Sequence, residues 1–124
     1  MNQILYKAEA FAIIGKCLEV HRTLGHGFLE AVYKDALEYE LSAAGIPYDR
    51  EHVFDIRYKD VILSKKYCAD FTVYNKIVLE VKAIEYISPQ AIGQAINYLN
   101  VSGYRLCILV NFGGSLFEFR RFVL

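Results

Sequence analysis

The sequence lacks the segments that direct a chain into or across a membrane. No apolar run approaches the roughly 20 residues of a membrane-spanning helix. Glu9 interrupts the apolar part of the N-terminus, which is unlike a signal peptide. We therefore expect a protein with no membrane partner.

Net charge and paired cysteines are also missing. The 14 Lys and Arg residues balance the 14 Asp and Glu residues, so the chain has no general attraction to nucleic acid or anionic lipid, although a local basic groove is compatible with this balance. Cys17, Cys68 and Cys107 are far apart in sequence and form no Cys-x-x-Cys pair. This pattern indicates reduced thiols and a cytoplasmic location.

Several common catalytic signatures are absent too. The three histidines show no metal-ligand spacing, and the sequence contains no phosphate-binding loop and no Gly-x-Ser-x-Gly motif. Cys68 is a candidate nucleophile, but the sequence places no histidine to activate it. No linker, repeat or low-complexity segment interrupts the chain, so we expect residues 1–124 to form one domain.

The sequence does contain clear helix and strand patterns. The expected order is helix, helix, three strands, helix, two strands, over residues 4–23, 28–44, 52–59, 67–73, 77–83, 88–103, 104–111 and 116–122. The core stripe expected on the first helix is Ile4, Ala8, Phe11, Ile14 or Gly15, and Leu18. The third helix lies between two strands, which predicts a crossover that joins parallel strands.

The hairpin over residues 67–83 carries an unusual group of charges. Period-two alternation places the apolar residues, Tyr67 among them, on one face of the hairpin. If Val73 pairs with Ile77 across a three-residue loop, Asp70 lies opposite Glu80 on the other face. A register shift of one residue would bury the charges, so the pattern fixes this pairing.

Asp70, Glu80 and Lys82 on one face have two explanations. They could form ion pairs on a solvated sheet surface, which would contribute at most about 1 kcal/mol. They could instead form a site in which two carboxylates hold Mg²⁺ or Mn²⁺ while the ammonium holds a water or hydroxide.

Further candidates lie on the helices. Glu30 is in the first turn of the second helix, where the helix dipole alone would favour a carboxylate. Gln90, Gln94 and Tyr98 form a polar ridge on the third helix at four-residue steps. A tyrosine half-buried in the core is an equally good explanation of Tyr98.

The order of elements and the charged residues together resemble the PD-(D/E)XK, or restriction-endonuclease-like, nucleases. Asp70 matches the aspartate of the second strand in that pattern, and Glu80-Val81-Lys82 matches the Asp/Glu-x-Lys of the third strand. Ala69 stands where a proline is usual. The segment from Gln94 to Tyr98 is similar to a Gln-x-x-x-Tyr motif in one branch of these nucleases.

A second resemblance is to the small GxxExxY proteins. The segment from Gly27 through Glu30 to Tyr33 is that motif as written, and the resemblance extends from about Ile14 to Leu116. It implies an α/β (α+β) fold with a restriction-endonuclease-like core in the order helix-helix-β-β-β-α-β-β and a central mixed sheet flanked by helices. Gly27 is expected at a positive φ or a close helix approach, and Tyr33 in the core.

The resemblance also implies roles for individual residues. Metal ligands would be Asp70, Glu80, the backbone carbonyl of Val81, and Glu30 directly or through water. Lys82 would position or deprotonate the attacking water. Gln94 would orient the nucleophile or the scissile phosphate, and Tyr98 and Gln90 would contact nucleic acid.

The implied activity is metal-dependent hydrolysis of phosphodiester bonds in DNA or RNA, with Mg²⁺ or Mn²⁺ as cofactor. One alternative is a nuclease-fold interaction subunit without turnover, for which the neutral net charge speaks. Another is a junction resolvase that holds DNA as a homodimer. The expected partners are thus nucleic acid and either a second copy or another protein.

Overall fold

The computed structural model describes residues 3–124. Its elements are α1 (Lys7–Leu24), α2 (Glu30–Ala43), β1 (Tyr48–Tyr58), β2 (Val61–Val73), β3 (Ile77–Lys82), α3 (Pro89–Ser102), β4 (Leu106–Asn111) and β5 (Glu118–Val123). The strands form one sheet in the order β1-β2-β3-β4-β5, with β3 and β4 parallel and the other neighbours antiparallel. The predicted mixed α/β architecture is confirmed.

Helices cover the sheet on both faces. Residues of α1 and α2 pack with Phe71, Leu79 and Val81 in one apolar cluster. Residues of α3 pack with Ala69 and Val78 in a second cluster on the other face. Every residue of β4 is buried between the two layers, as its apolar sequence predicted.

The ends of α3 follow from its sequence. The side chain of Ser88 accepts a hydrogen bond from the Ala91 N–H at 3.1 Å, and Pro89 occupies the first helical position. Gly103 ends the helix with a φ of 72°, a left-handed conformation that glycine adopts without strain. Both signals predicted this helix correctly.

The predicted core stripe of α1 is wrong except at Ile14, which is partly buried against the core. The buried residues of this helix are Ala10, Ile13, Cys17 and Val20. Ile4 lies before the helix and is exposed, as are Leu18 and Phe11, the last with 81% of its surface accessible. Apolar residues occupy most sides of α1, so three- and four-residue spacing alone could not select the side that packs.

The predicted hairpin register is confirmed where β2 and β3 pair. Val73 lies opposite Ile77 and Phe71 opposite Leu79. The ladder ends there, and the next residues in this register are Asp70 and Glu80. The two strands therefore stop pairing where the charged residues begin.

The expected face of Tyr67 is wrong. Tyr67 and Ala69 pack in the α3 cluster, whereas Phe71 packs in the α1–α2 cluster. The alternation breaks at Asp70, and the residue across from it on β1, Glu51, has a φ of 58°. Because of this local irregularity, the side chains of β2 before Asp70 switch to the opposite face of the sheet. Tyr67 therefore lies on the same face as Glu80.

In the described residues, we find no helix with the length and apolar character needed to cross a membrane.

Candidate active site

The point where β2 and β3 stop pairing places two carboxyl groups side by side. Asp70 Oδ2 accepts a hydrogen bond from the backbone N–H of Val81 at 2.8 Å, so its side chain takes the place of a ladder partner. Glu80 precedes Val81, and its carboxyl group lies within electrostatic reach of that of Asp70. The structure thus brings together the two acids that the register predicted.

Glu80 is buried, with 5% of its surface accessible. It is therefore not part of an ion pair on a solvated sheet surface. The hydroxyl of Tyr67 donates a hydrogen bond to its Oε1. Burial, followed by repulsion from Asp70, raises the pKa of Glu80 to about 9. Without a further cation, Glu80 therefore holds a proton at neutral pH.

Lys82 lies at the end of β3 and faces α3. Its Nζ donates to Oε1 of Gln94 at 3.1 Å. Lys82 and Gln94 line a cavity of about 200 Å³ together with Gln90, at the N-terminal turn of α3. The N-terminal end of a helix carries partial positive charge, which suits an anionic group in this cavity.

The backbone beyond Lys82 is held by neighbouring loops. The N–H of Phe112 donates to the carbonyl of Lys82 at 2.9 Å. The buried side chain of Asn111 bonds both the N–H and the carbonyl of Ile84. Gly113 approaches so closely that a Cβ there would meet the Ile84 carbonyl oxygen at 2.2 Å. These contacts fix the path of the backbone at the end of β3, where Lys82 lies.

Glu30 is the first residue of α2 and faces the same group. Burial, and then repulsion from Asp70, raise the pKa of Glu30, while Lys82 and Lys34 oppose the rise. Glu30 and Glu80 therefore each lie within electrostatic reach of Asp70, the third acid expected as a metal ligand.

Tyr33 fixes the turn that delivers Glu30. Its buried ring stacks on Phe112 at 4.8 Å between centroids. Its hydroxyl donates to the Gly25 carbonyl at 2.6 Å and accepts the Phe28 N–H at 3.3 Å. Gly27 has a φ of 108°, as expected for its place in this turn. The spacing of glycine, glutamate and tyrosine therefore has a structural reason, because Gly27 and Tyr33 shape the turn that orients Glu30.

Two charged residues at the site were missed by the sequence analysis. Lys34 is almost fully buried, and its Nζ donates to Asp70 Oδ1 at 3.0 Å and to Glu51 Oε1. Burial alone would lower the pKa of Lys34, but the hydrogen bonds to Glu51 and Asp70 raise it. The same bond with Lys34 lowers the pKa of Glu51.

The sequence contains a signal for Lys34 but none for Glu51. Lys34 is three residues before Leu37 and seven before Leu41, so it lies on the buried stripe of α2, where an unpaired lysine is unexpected. That position could have identified it. Nothing in the sequence marks Glu51, because its orientation depends on a positive φ at a non-glycine residue.

The residues expected to contact nucleic acid occupy different settings. The ring of Tyr98 stacks on that of Tyr67, with centroids 3.9 Å apart, and is partly buried, so it has a packing role. Gln90 is exposed at the edge of the Lys82 cavity. Only Gln90 and Gln94 of the predicted ridge line that cavity.

Cys68 is exposed, and its Sγ donates to Glu51 Oε2 at 3.3 Å. Partial burial and this acceptor raise the pKa of the thiol. A thiol beside a carboxylate is a poor nucleophile, so the geometry argues against cysteine chemistry.

The donor set suits a hard divalent cation. Asp70 and Glu80 offer carboxylate oxygens next to the Val81 backbone, and these are the ligand types that Mg²⁺ prefers. The raised pKa of Glu80 reflects crowded negative charge that such a cation would relieve. Within residues 3–124, no three Asp, Glu, His or Cys side chains are already arranged to hold a metal ion. Donors from Lys34, Tyr67 and Val81 bind the two acids instead.

Comparisons with known proteins agree with this geometry. A family model described as the PD-(D/E)XK nuclease superfamily matches residues 7–122. The crystal structure of SSO0001 resembles the fold, with a TM-score of 0.53 and 15% sequence identity, over 94% of this chain and 78% of that chain. At this identity the likeness concerns the fold alone. No curated protein matches the sequence.

Proposed function

Because the chain belongs to the PD-(D/E)XK nuclease superfamily, we propose that it is a metal-dependent phosphodiesterase that cleaves DNA or RNA. The superfamily generally uses divalent metal ions. One observation carries the proposal for this chain: Asp70 and Glu80 meet where two strands part, with Lys82 within electrostatic reach of Glu80. An ordinary surface ion pair would need neither the burial of Glu80 nor its raised pKa.

The proposed ligands of Mg²⁺ or Mn²⁺ are Asp70, Glu80 and the carbonyl of Val81, with Glu30 completing the shell directly or through water. A divalent ion held there would supply positive charge for the scissile phosphate. Lys82 would hold the attacking water and assist loss of its proton. Gln94, which accepts from Lys82, would keep the ammonium on the cavity side.

The substrate side of the site is the cavity beside α3. Gln90 lies at its rim, and the first turn of α3 offers partial positive charge to a phosphate. Tyr98 would act indirectly, by packing Tyr67 against Glu80. We take DNA as the first substrate to test, with a homodimer that binds branched DNA as one form of the same proposal.

Within the superfamily, the segment from Gly27 to Tyr33 supports membership of the GxxExxY group. Tyr33 and Gly27 hold the turn that brings Glu30 to the acids. We treat residues 1–124 as one domain. Free thiols at Cys17, Cys68 and Cys107 support a cytoplasmic location.

Cleavage assays test the activity. Single-stranded, double-stranded and branched DNA, and RNA, are incubated with Mg²⁺ or Mn²⁺ and either the natural protein or Asp70→Asn. We expect cleavage by the natural protein to be lost in Asp70→Asn, because the substitution removes a charged ligand. Cleavage that persists unchanged in Asp70→Asn would contradict the proposed site.

A nuclease-fold interaction subunit is the second candidate. The observation in its favour is that protein donors already bind both acids, with the ammonium of Lys34 on Asp70 and the hydroxyl of Tyr67 on Glu80. This candidate predicts that no substrate is cleaved and that Mn²⁺ does not raise the melting temperature. A Mn²⁺-dependent rise that Asp70→Asn abolishes would argue against it.

A further inference from the structure

Lys34 is a buried cation at the edge of the acidic cluster. It lies one helical turn after Glu30, and only 10% of its side chain is accessible. Its ammonium bridges Asp70 on β2 and Glu51 on β1. A buried lysine of this kind is retained only with charged partners, and both partners here are supplied by the sheet.

Both oxygens of Asp70 are engaged by protein donors. Lys34 binds Oδ1 at 3.0 Å, and the Val81 N–H binds Oδ2 at 2.8 Å. Asp70 is also the acid nearest to Glu80 in the strand register. The ammonium of Lys34 therefore gives Asp70 the kind of positive charge that a bound cation would give it.

Glu51 holds Lys34 in this position. Its φ of 58° is rare for a residue with a side chain and departs from the extended backbone of β1. The conformation directs its carboxylate to Lys34 on one oxygen and to the thiol of Cys68 on the other. The strained backbone and the buried lysine thus belong to one arrangement.

We propose that Lys34 is a positioning residue that acts through Asp70 and competes with the divalent cation for that carboxylate. In the metal-free protein it neutralises Asp70 and stabilises the cluster. When a cation binds, the ammonium and the ion repel each other, so Lys34 weakens metal binding. The proposal rests on the proposed function in one respect, the presence of a divalent cation at Asp70.

The test is calorimetric titration with Mn²⁺, combined with melting temperatures with and without the ion. Lys34→Met keeps the apolar stem and removes the charge. We expect its metal-free melting temperature to fall by about 5 °C or more. We expect its affinity for Mn²⁺ to rise roughly tenfold or more, because a nearby positive charge is gone. A residue with only a structural role would lower the melting temperature without tightening Mn²⁺ binding.

Two further variants sharpen the result. Glu51→Gln leaves Lys34 to Asp70 alone and removes a nearby negative charge, so Mn²⁺ binding should weaken. Arg50→Met is the matched control, since Arg50 also links β1 to α2 but through Asp35 and Glu38. It should leave Mn²⁺ affinity within about twofold, because its partners lie outside the cluster and the Glu51 side chain on which its charge also acts is exposed to screening by water.

Equal or weaker Mn²⁺ binding by folded Lys34→Met would overturn the role given to Lys34 and leave the proposed function intact. No Mn²⁺ binding by either protein would contradict the metal site and hence the proposed function. If Lys34→Met does not fold, the double variant Lys34→Met with Glu51→Gln removes both charges of the Lys34–Glu51 ion pair. Its Mn²⁺ affinity should exceed that of Glu51→Gln alone, and failure to do so would overturn the proposal.

Discussion

In residues 3–124, two ion networks join α2 to the sheet, and they differ in how deeply their charges are buried. One links Arg50 of β1 to Asp35 and Glu38, at 2.6 and 2.9 Å. Its acidic partners Asp35 and Glu38 are 72% and 37% accessible. The other links Lys34 to Asp70 and Glu51, with Lys34 and Asp70 largely buried.

The surroundings of each network decide what it can do. Around Arg50, water screens the charges, and the pKa of Glu38 is lowered by its hydrogen bonds to Arg50 and Tyr48. Around Lys34, the neighbouring acids Glu30 and Glu80 have raised pKa values, with burial as the main cause and Asp70 as the next. The Arg50 network attaches α2 to β1. The Lys34 network lies beside acids with raised pKa values, which are typical of a ligand-binding site.

The largest expected difference concerns turnover. Lys82→Ala should lower the cleavage rate by roughly 10²–10⁴-fold, the usual contribution of a positioned acid–base group. Mn²⁺ affinity should be unchanged or higher, because an ammonium repels the ion. Initial rates and calorimetry check this, with Lys65→Ala as control, since Lys65 is exposed on the outer part of β2. Equal losses in both variants would show that Lys82 has no special role.

A smaller effect concerns the pH dependence of metal-free stability. In the fold the pKa of Glu80 is about 9, because burial and Asp70 raise it more than Tyr67 and Lys82 lower it. In the unfolded chain the pKa of a glutamate is about 4.3. Between these values the folded state binds more protons, so the free energy of unfolding should fall as pH rises.

Melting temperatures measured without metal from about pH 6 to 9 test this. The natural protein should lose stability over that range, and Glu80→Gln, which mimics the protonated acid, should lose much less. The same slope in both proteins would mean that Glu80 does not carry the proton.

The smallest effect is expected at the exposed network. Arg50→Met should lower the free energy of unfolding by at most about 1 kcal/mol, because its ion pairs are partly solvated. Chemical denaturation with urea at low and high salt measures it, and high salt should shrink the difference. A loss as large as that of Lys34→Met would remove the distinction between the two networks.

The features of the fold and site that the sequence predicted correctly depend on residues close together in the chain. Pairing of Val73 with Ile77 followed from the hairpin, and it carried Asp70 and Glu80 to the same place. The caps of α3 followed from Ser88 and Gly103. In each case a few neighbouring residues determine the geometry, so the sequence alone is informative.

The missed part depends on contacts between distant segments. Lys34 and Asp70 are 36 residues apart, and Glu51 meets them through an unusual backbone angle. Tyr67 reaches Glu80 because the alternation of β2 breaks at Asp70, which no local periodicity reveals. The expected stripe on α1 failed for a related reason, since the sheet selects which side of an apolar helix is buried.

The central claim is that the acids around Lys34 form a divalent-cation site, unlike those around Arg50. Calorimetric titration with Mn²⁺ at about pH 7.5, in two buffers of different ionisation enthalpy, tests it most directly. Binding at Asp70 and Glu80 should release about one proton per ion, because Glu80 must ionise to bind. Glu80→Gln should bind Mn²⁺ more weakly and release none. Binding without proton release, or equal release by Glu80→Gln, would contradict the claim.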